Sequence, residues 1–273
     1  MTQVNALILT GFGLNCDYET AMVFELAGAV SHRVHINSLI DGKVDLGDYH
    51  ILALGGGFSW GDDHGAGVIQ ALKYNNHLGD DIRTFISQGK LVIGICNGFQ
   101  TLVNMGLLPG FDNDYQARSV SITYNDCGNF RDQWVHLAVN PNSPCVFTKG
   151  IDAVDFPVRH GEGKLVTTEE TLGALQQNNQ VVFSYADDNY HPANGAFPYN
   201  PNGSMADIAG ICDETGRILG LMPHPEAYNH PANHPDWPRQ KEILKRQGKG
   251  VDTSMTLGVT LFKNGVDYIL SSF

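Results

Sequence analysis

Gly94-Ile95-Cys96-Asn97-Gly98 sets a thiol between two glycines, directly after the apolar run Leu91–Ile95. This is the G-x-nucleophile-x-G pattern of a nucleophile elbow, with cysteine in the place of serine. Glycines two residues to either side let the backbone turn sharply from strand to helix, with the nucleophile at its tip. A thiol at a helix N-terminus meets a dipole that favours thiolate. The N–H of Asn97 points at the oxyanion that forms on an attacked carbonyl. A thiolate needs a base, and the base needs an orienting group. Pro223-His224-Pro225-Glu226, after the apolar stretch Ile218–Met222, offers both. Pro225 disfavours the helical region for His224, so the segment is expected to be extended, with His224 and Glu226 pointing to one side. The second oxyanion donor is expected from Gly55-Gly56-Gly57, after the strand-like Ile51–Leu54.

Other chemistries fail on specifics. Gly89-Lys90, Gly163-Lys164 and Gly248-Lys249 are followed by Leu, Leu and Gly, so none closes a G-x-x-x-x-G-K-[ST] phosphate loop. His224, His230 and His234, with Glu226, have the residue types of a metal site. Each of these histidines precedes a proline in a polar stretch, which is turn chemistry, and no metal is expected.

The elements that must position these groups read as an alternation. Val4–Leu9 is strand-like, Asp17–Ala29 helix-like, Val34–Ile36 a second strand and Ile51–Leu54 a third. Gly67–Tyr74 and Asp80–Ser87 suit two helices, and Leu91–Ile95 suits a strand buried in a parallel sheet. This order predicts an α/β fold, a doubly wound and mostly parallel sheet with flanking helices and ligands at the carboxyl ends of the strands. From Ser119 to Ile211, the runs Val120–Tyr124, Val135–Val139, Val181–Tyr185 and Ile208–Ile211 predict antiparallel additions and loops. Ala227–Asp252 is polar and rich in Pro, Lys and Arg, expected as a surface loop and helix. Thr256–Leu270 reads as a last amphipathic helix. No linker interrupts the chain, so residues 1–273 are expected to form one domain.

The 273 residues carry 29 Asp and Glu against 17 Lys and Arg, a net charge of −12. A nucleic-acid or anionic-membrane surface needs clustered cations, so neither partner is expected. No apolar run approaches the roughly 18 residues of a membrane helix, and residues 1–10 lack a signal-peptide pattern. Cysteines 16, 96, 127, 145 and 212 form no C-x-x-C pair and no disulfide framework. The expectation is a soluble, cytoplasmic protein.

On these motifs the chain resembles the triad (class I) glutamine amidotransferases. It is similar in particular to the glutaminase subunits of phosphoribosylformylglycinamidine synthase, a purine-synthesis enzyme. The narrower resemblance rests on Gly56-Gly57-Phe58-Ser59-Trp60-Gly61-Asp62, His160-Gly161-Glu162-Gly163-Lys164, Asn200-Pro201-Asn202-Gly203-Ser204 and Ile208-Ala209-Gly210-Ile211. These stand beside the Cys and His-Pro-Glu motifs, in order from about residue 5 to about residue 270. The resemblance implies Cys96 as nucleophile, His224 as base and Glu226 as its partner. It also implies an oxyanion hole from the Gly57 and Asn97 N–H groups, and Gln100 in contact with bound glutamine. It implies that ammonia passes to a separate synthetase subunit carrying ATP and Mg, with a small accessory subunit as a further partner and no cofactor in this chain. Three positions depart from the family pattern: Cys127 stands where Ser is usual, Gln133 stands near an expected Arg, and Gly55 stands where Pro is common. A cysteine-elbow α/β protein of the peptidase or stress-response type, without glutamine chemistry, is the alternative reading.

Overall fold

The structure, a computed structural model, describes residues 3–250 and 255–273. Its first half alternates as the apolar runs predict: β1 (Asn5–Thr10), α1 (Asp17–Leu26), β2 (Val30–His35), α2 (Ile36–Ile40), β3 (Ile51–Leu54), α3 (Val68–Ser87), β4 (Leu91–Ile95) and α4 (Asn97–Met105). The second half adds β5 (Val120–Tyr124), β6 (Arg131–Val139), β7 (Ala153–His160), β8 (Glu162–Thr167), α5 (Glu169–Gln177), β9 (Val181–Ala186), β10 (Ile208–Cys212), β11 (Ile218–Leu221), α6 (Trp237–Arg246) and α7 (Leu257–Ser272).

One nine-stranded sheet runs β2-β1-β3-β4-β11-β10-β9-β6-β7, and β5 pairs with β8 apart from it. The five strands from β2 to β11 pair in parallel, and those beyond β11 pair antiparallel. The chain steps outward from β1 to β2 and then back across β1 to β3 and β4. Right-handed crossovers therefore send α1 and α3 to opposite faces, and a crevice opens where the direction reverses, at the carboxyl ends of β1 and β3. Cys96 follows the next strand over. On one face α1 packs on α7, with Phe24 edge-on to Phe262 at 4.9 Å. On the other, α3 packs on α4. All four strands β3, β4, β10 and β11 are buried throughout. Among the described residues, no helix is long and apolar enough to cross a membrane.

Several expected boundaries shift, each for a physical reason. β2 spans Val30–His35 rather than Val34–Ile36, and Ile36 opens α2. As an edge strand it leaves Ser31 half-buried and His32 and Arg33 exposed, so no apolar run marks it. The two expected helices at 67–74 and 80–87 are one, α3. Its buried stripe of Gln70, Ala71, Tyr74, Leu78, Ile82, Phe85 and Ile86 keeps helical period while Asn75, Asn76 and His77 face outward. β7 and β8 were not expected as strands. Pro157 interrupts β7, which is tolerated because β7 is an edge strand and its open side needs no N–H there. The 227–252 segment holds the last residue of a 3-10 turn at Pro225–Ala227, a second such turn at Pro231–Asn233 and α6; residues 251 and 252 lie outside the described residues. The last helix is capped by the Thr256 side chain, which accepts from the Val259 N–H at 3.3 Å.

Candidate active site

Cys96 sits between β4 and α4 at φ +52°, a conformation that costs a non-glycine residue of order 1–3 kcal/mol. Both sides of the turn hold it there: its N–H donates to Leu221 O of β11 at 2.8 Å, and its carbonyl accepts from the Gln100 N–H at 3.0 Å. The flanking glycines are needed for close approach rather than for positive φ. A Cβ on Gly98 would lie 1.9 Å from Leu54 O, and one on Gly94 would lie 2.7 Å from Gly98 O. The Cys96 thiol is 4% exposed and lies 3.7 Å from Arg159 O.

His224 arrives from β11 and is held by its N–H donating to Pro157 O, the carbonyl of the proline in β7, at 2.8 Å. Its Nδ1 stands 2.6 Å from Glu226 Oε1, with both side chains buried. The expected pairing is present, but its backbone differs. Only His224 is non-helical; Pro225 opens a 3-10 turn over Pro225–Ala227 that brings the carboxylate back to the ring. The carboxylate accepts, so Nδ1 carries hydrogen and Nε2, which has no partner, is left for the thiol. Burial opposes charge on the imidazole. The Glu226 carboxylate, followed by the Cys16 and Cys96 thiols, outweighs it and raises the His224 pKa well above the ordinary value.

The Gly55–Gly57 turn is pinned across the crevice. Asn15 and Cys16 N–H groups donate to Gly56 O at 3.2 and 3.3 Å, and the Phe58 N–H donates to Gly13 O at 3.0 Å. At Gly57, φ is +152° and a Cβ would lie 2.6 Å from Gly13 O. Asn97 is the first residue of α4, so its N–H has no intrahelical acceptor. The Asn97 side chain accepts from the Ser59 N–H at 3.3 Å and donates to Asp62 Oδ1 at 3.3 Å and Gln100 Oε1 at 3.1 Å. Gln100 in turn donates through Nε2 to Glu162 O at 2.5 Å. The structure thus gathers all six expected residues at the carboxyl ends of β3, β4 and β11.

Gly56 has a consequence of its own. A Cβ there would lie 2.7 Å from His224 Cε1 and 3.1 Å from Cys16 Sγ. Gly56→Ala is expected to lower turnover about 100-fold by displacing the imidazole, with a stability loss of only about 1–3 kcal/mol. Parallel kcat/KM and thermal-unfolding measurements check this; unchanged turnover in a folded variant would contradict it.

Four residues here were not singled out from sequence. Cys16 lies with Sγ 4.0 Å from His224 Nδ1, its thiol pushed up in pKa chiefly by burial. His160 is buried, and Asn125 fixes its tautomer. Asn125 Nδ2 donates to the Asn129 and His160 carbonyls, so Oδ1 must accept from His160 Nδ1 at 3.1 Å, which leaves Nε2 a lone pair without a partner. Burial, then the charge on His224, lower its pKa to about 3, so it stays neutral. Asp62 is pushed up to about 6, by burial first and then by Glu162, the fourth residue. Their signal lay inside quoted motifs, G-G-F-S-W-G-D and H-G-E-G-K; Cys16 had none beyond its place after β1.

Among the described residues one group could offer three ligand atoms to a metal, Cys16, His224 and Glu226, within 4.8 Å of one another. Its 2.6 Å Nδ1–Oε1 separation fits a hydrogen bond and is too short for two ligands of one ion. His234 instead packs edge-on to Trp134 with Nε2 3.2 Å from Asp155, and His230 caps a turn. A cavity of about 840 Å³ lies between residues 140–152 and α7. It is at the opposite end of β11 from Cys96 and pairs no nucleophile with a base. A smaller one of about 330 Å³ is lined in part by Phe58, Asp62, Asn125, Phe130 and Glu162, and of these Asp62 and the Glu162 carbonyl accept from the Asn97 and Gln100 side chains. Neither Cys127 nor Gln133 lines it; Cys127 faces Asn129 and Pro201, and Gln133 spans Arg131 and Pro198.

The family model for CobB/CobQ-like glutamine amidotransferase domains matches residues 3–269. The chain is 47% identical over 262 residues to the phosphoribosylformylglycinamidine synthase subunit PurQ of Methanococcus maripaludis, covering 96% of each. It is 47% identical to that of Dehalococcoides mccartyi, covering 92% of this chain and 95% of the relative. Among solved structures it resembles a chain of PurLQS from Thermotoga maritima, with a TM-score of 0.70 and 28% identity, covering 98% of this chain and 100% of that one.

Proposed function

The chain belongs to the CobB/CobQ-like glutamine amidotransferase family, and within it to the glutaminase subunits of phosphoribosylformylglycinamidine synthase, and from that premise we propose how its residues release ammonia from glutamine. His224 Nε2 takes the Cys96 thiol proton, and the sulfur attacks the side-chain carboxamide carbon. The Gly57 and Asn97 N–H groups hold the oxyanion. His224 returns the proton to the leaving nitrogen, and ammonia departs from a glutamyl thioester on Cys96. His224 then deprotonates a water that attacks the thioester, and glutamate leaves as the thiol is restored. Glu226 stabilises the imidazolium in both halves. Gln100 contacts the bound glutamine from one helical turn beyond the nucleophile.

The observation that carries this reading is Cys96 held at the elbow beside an imidazole whose Nδ1 is locked, 2.6 Å away, by a buried carboxylate. The ammonia serves a synthetase subunit that converts formylglycinamide ribonucleotide to the amidine in purine synthesis. We place ATP and Mg on that partner, because this chain has no phosphate loop and a net charge of −12. A small accessory subunit completes the assembly. The cysteine-elbow peptidase or stress-response reading is not favoured, since the family match spans residues 3–269.

A free glutaminase would waste glutamine. The loop that carries Gly57 also carries Phe58, 44% exposed and 6.2 Å from the exposed Phe130 ring, so a partner seated on these two rings would bear directly on the oxyanion donor. The isolated chain is expected to release glutamate poorly and to gain at least about tenfold in kcat/KM when its synthetase and acceptor nucleotide are present. Steady-state glutamate release with and without the partner checks this. Equal values would overturn it.

A further inference from the structure

We propose that Cys145 and Cys212 form a peroxide-sensitive dithiol, a modification site at the end of the sheet remote from Cys96. Both thiols are free and take no part in the amidotransferase chemistry, so the site stands apart from that reading. Cys212 closes β10, across the ladder from Leu219 near the start of β11. Cys145 lies in the loop between β6 and β7, and that loop is fastened to the same hairpin. The Val146 N–H donates to Gly216 O at 2.9 Å, and Gly216 sits so close that a Cβ there would collide with Pro144 O. One hydroxyl joins the two cysteines. Ser143 Oγ accepts from the Cys145 N–H at 3.3 Å and stands 3.6 Å from Cys212 Sγ. The thiols themselves interact, each being the strongest side-chain influence on the other.

Their surroundings set the order of reaction. Cys212 is fully buried, whereas Cys145 lines the cavity of about 840 Å³, through which a small oxidant enters. Burial opposes a thiolate at Cys145, but the Cys212 thiol and the Phe147 and Thr148 N–H groups outweigh it and lower its pKa. A thiol so disposed to ionise is the one that peroxide takes first. Cys145, and after it burial, hold Cys212 in the thiol form.

In the first step the Cys145 thiolate, its proton released to water, attacks one oxygen of hydrogen peroxide. The S–O bond forms as the O–O bond breaks; sulfur is oxidised by two electrons, peroxide is reduced, and hydroxide leaves. Cys145 is then a neutral sulfenic acid and no longer opposes ionisation of Cys212. The Ser143 oxygen already accepts from Cys145, so its hydrogen turns to the Cys212 sulfur and favours the thiolate. Cys212 gives its proton to the hydroxide and attacks the Cys145 sulfur. The S–S bond forms, the S–O bond breaks, and the second hydroxide takes up the proton that Cys145 released. Two thiols and one peroxide thus give one disulfide and two waters.

The test exposes the wild-type chain in native buffer to stepwise hydrogen peroxide and quenches with catalase and acid. The remaining thiols are alkylated with N-ethylmaleimide in urea, and the peptides are mapped by mass spectrometry. Alkylated Cys145 and Cys212 are expected to fall together, one for one, as a linked peptide pair lighter by two hydrogens appears. Dithiothreitol restores both. Cys212→Ser is expected to leave a Cys145 sulfenic acid that dimedone traps, and Cys145→Ser to leave Cys212 fully alkylable at the same dose. The wild-type map decides the pairing even where a variant fails to fold. Both thiols still alkylable at a dose that has consumed Cys96 would overturn the proposal. So would loss of Cys145 without the linked pair, or a linked pair that forms only when urea is present during oxidation.

Discussion

Cys96→Ala is expected to abolish glutamine-dependent amidation by the assembled enzyme and to leave amidation from added ammonium intact. The substitution removes one sulfur whose polar contact is Arg159 O at 3.7 Å, and it leaves the backbone hydrogen bonds of the turn in place. Alanine meets the same positive-φ cost as cysteine, so the elbow keeps its shape. What is lost is the only step that breaks the carboxamide bond. Removing the nucleophile of another hydrolytic triad costs on the order of 10⁶-fold in kcat, and a comparable loss is expected here. The synthetase chemistry uses none of these residues, so ammonium at high concentration bypasses the lesion. An assay of both nitrogen donors on one preparation decides the matter. Full turnover with glutamine would make the nucleophile assignment wrong.

Glu226→Gln is expected to be the next most damaging change, severe but incomplete. Glu226 is fully buried against a 2%-exposed His224, and its charge is the largest influence opposing burial on the imidazole. Glutamine can still accept from Nδ1–H through its carbonyl, so the tautomer survives while the charge stabilisation is lost. The sign follows. The folded pKa of His224 is raised, so its imidazolium stabilises the fold below the unfolded pKa of about 6.5, and that contribution fades as pH rises through the folded value. Without the carboxylate, only the Cys16 and Cys96 thiols oppose burial and the pKa falls, so the imidazolium that must protonate the departing nitrogen becomes scarcer. Losing the orienting carboxylate of a serine triad costs about 10⁴-fold, and a cysteine nucleophile should need it less. The expected result is a kcat/KM loss below that figure and well below that of Cys96→Ala, with the His224 limb of the pH profile moved to lower pH. Equal losses for the two variants would contradict this order of roles.

The parts legible in the sequence are those where one local rule dominates. Leu91–Ile95 followed by Gly-x-Cys-x-Gly can only be a buried strand entering a tight turn, and β4, Cys96 and α4 stand there. His224 and Glu226 were legible as a pair because two residues of spacing suffice in either an extended chain or a 3-10 turn; the backbone between them was not, since Pro225 permits both. β7 was hidden because Pro157 argues against a strand unless its place at the sheet edge is known, and edge position is a property of the whole sheet. The same holds for Cys16, Asp62, His160 and Glu162. They reach the site from three separate segments, after β1, after β3 and at the β7–β8 turn, and only the folded sheet brings those segments together.

The most direct test is to quench the synthetase complex during turnover with glutamine and locate the trapped acyl group by peptide mass spectrometry. A γ-glutamyl group is expected on the peptide containing Cys96, absent in Cys96→Ala and depleted when turnover ends. Cys16 offers an internal control, because its thiol also lies beside His224, 4.0 Å from Nδ1. An acyl group on Cys16, or none on Cys96 while glutamate is being released, would contradict the account.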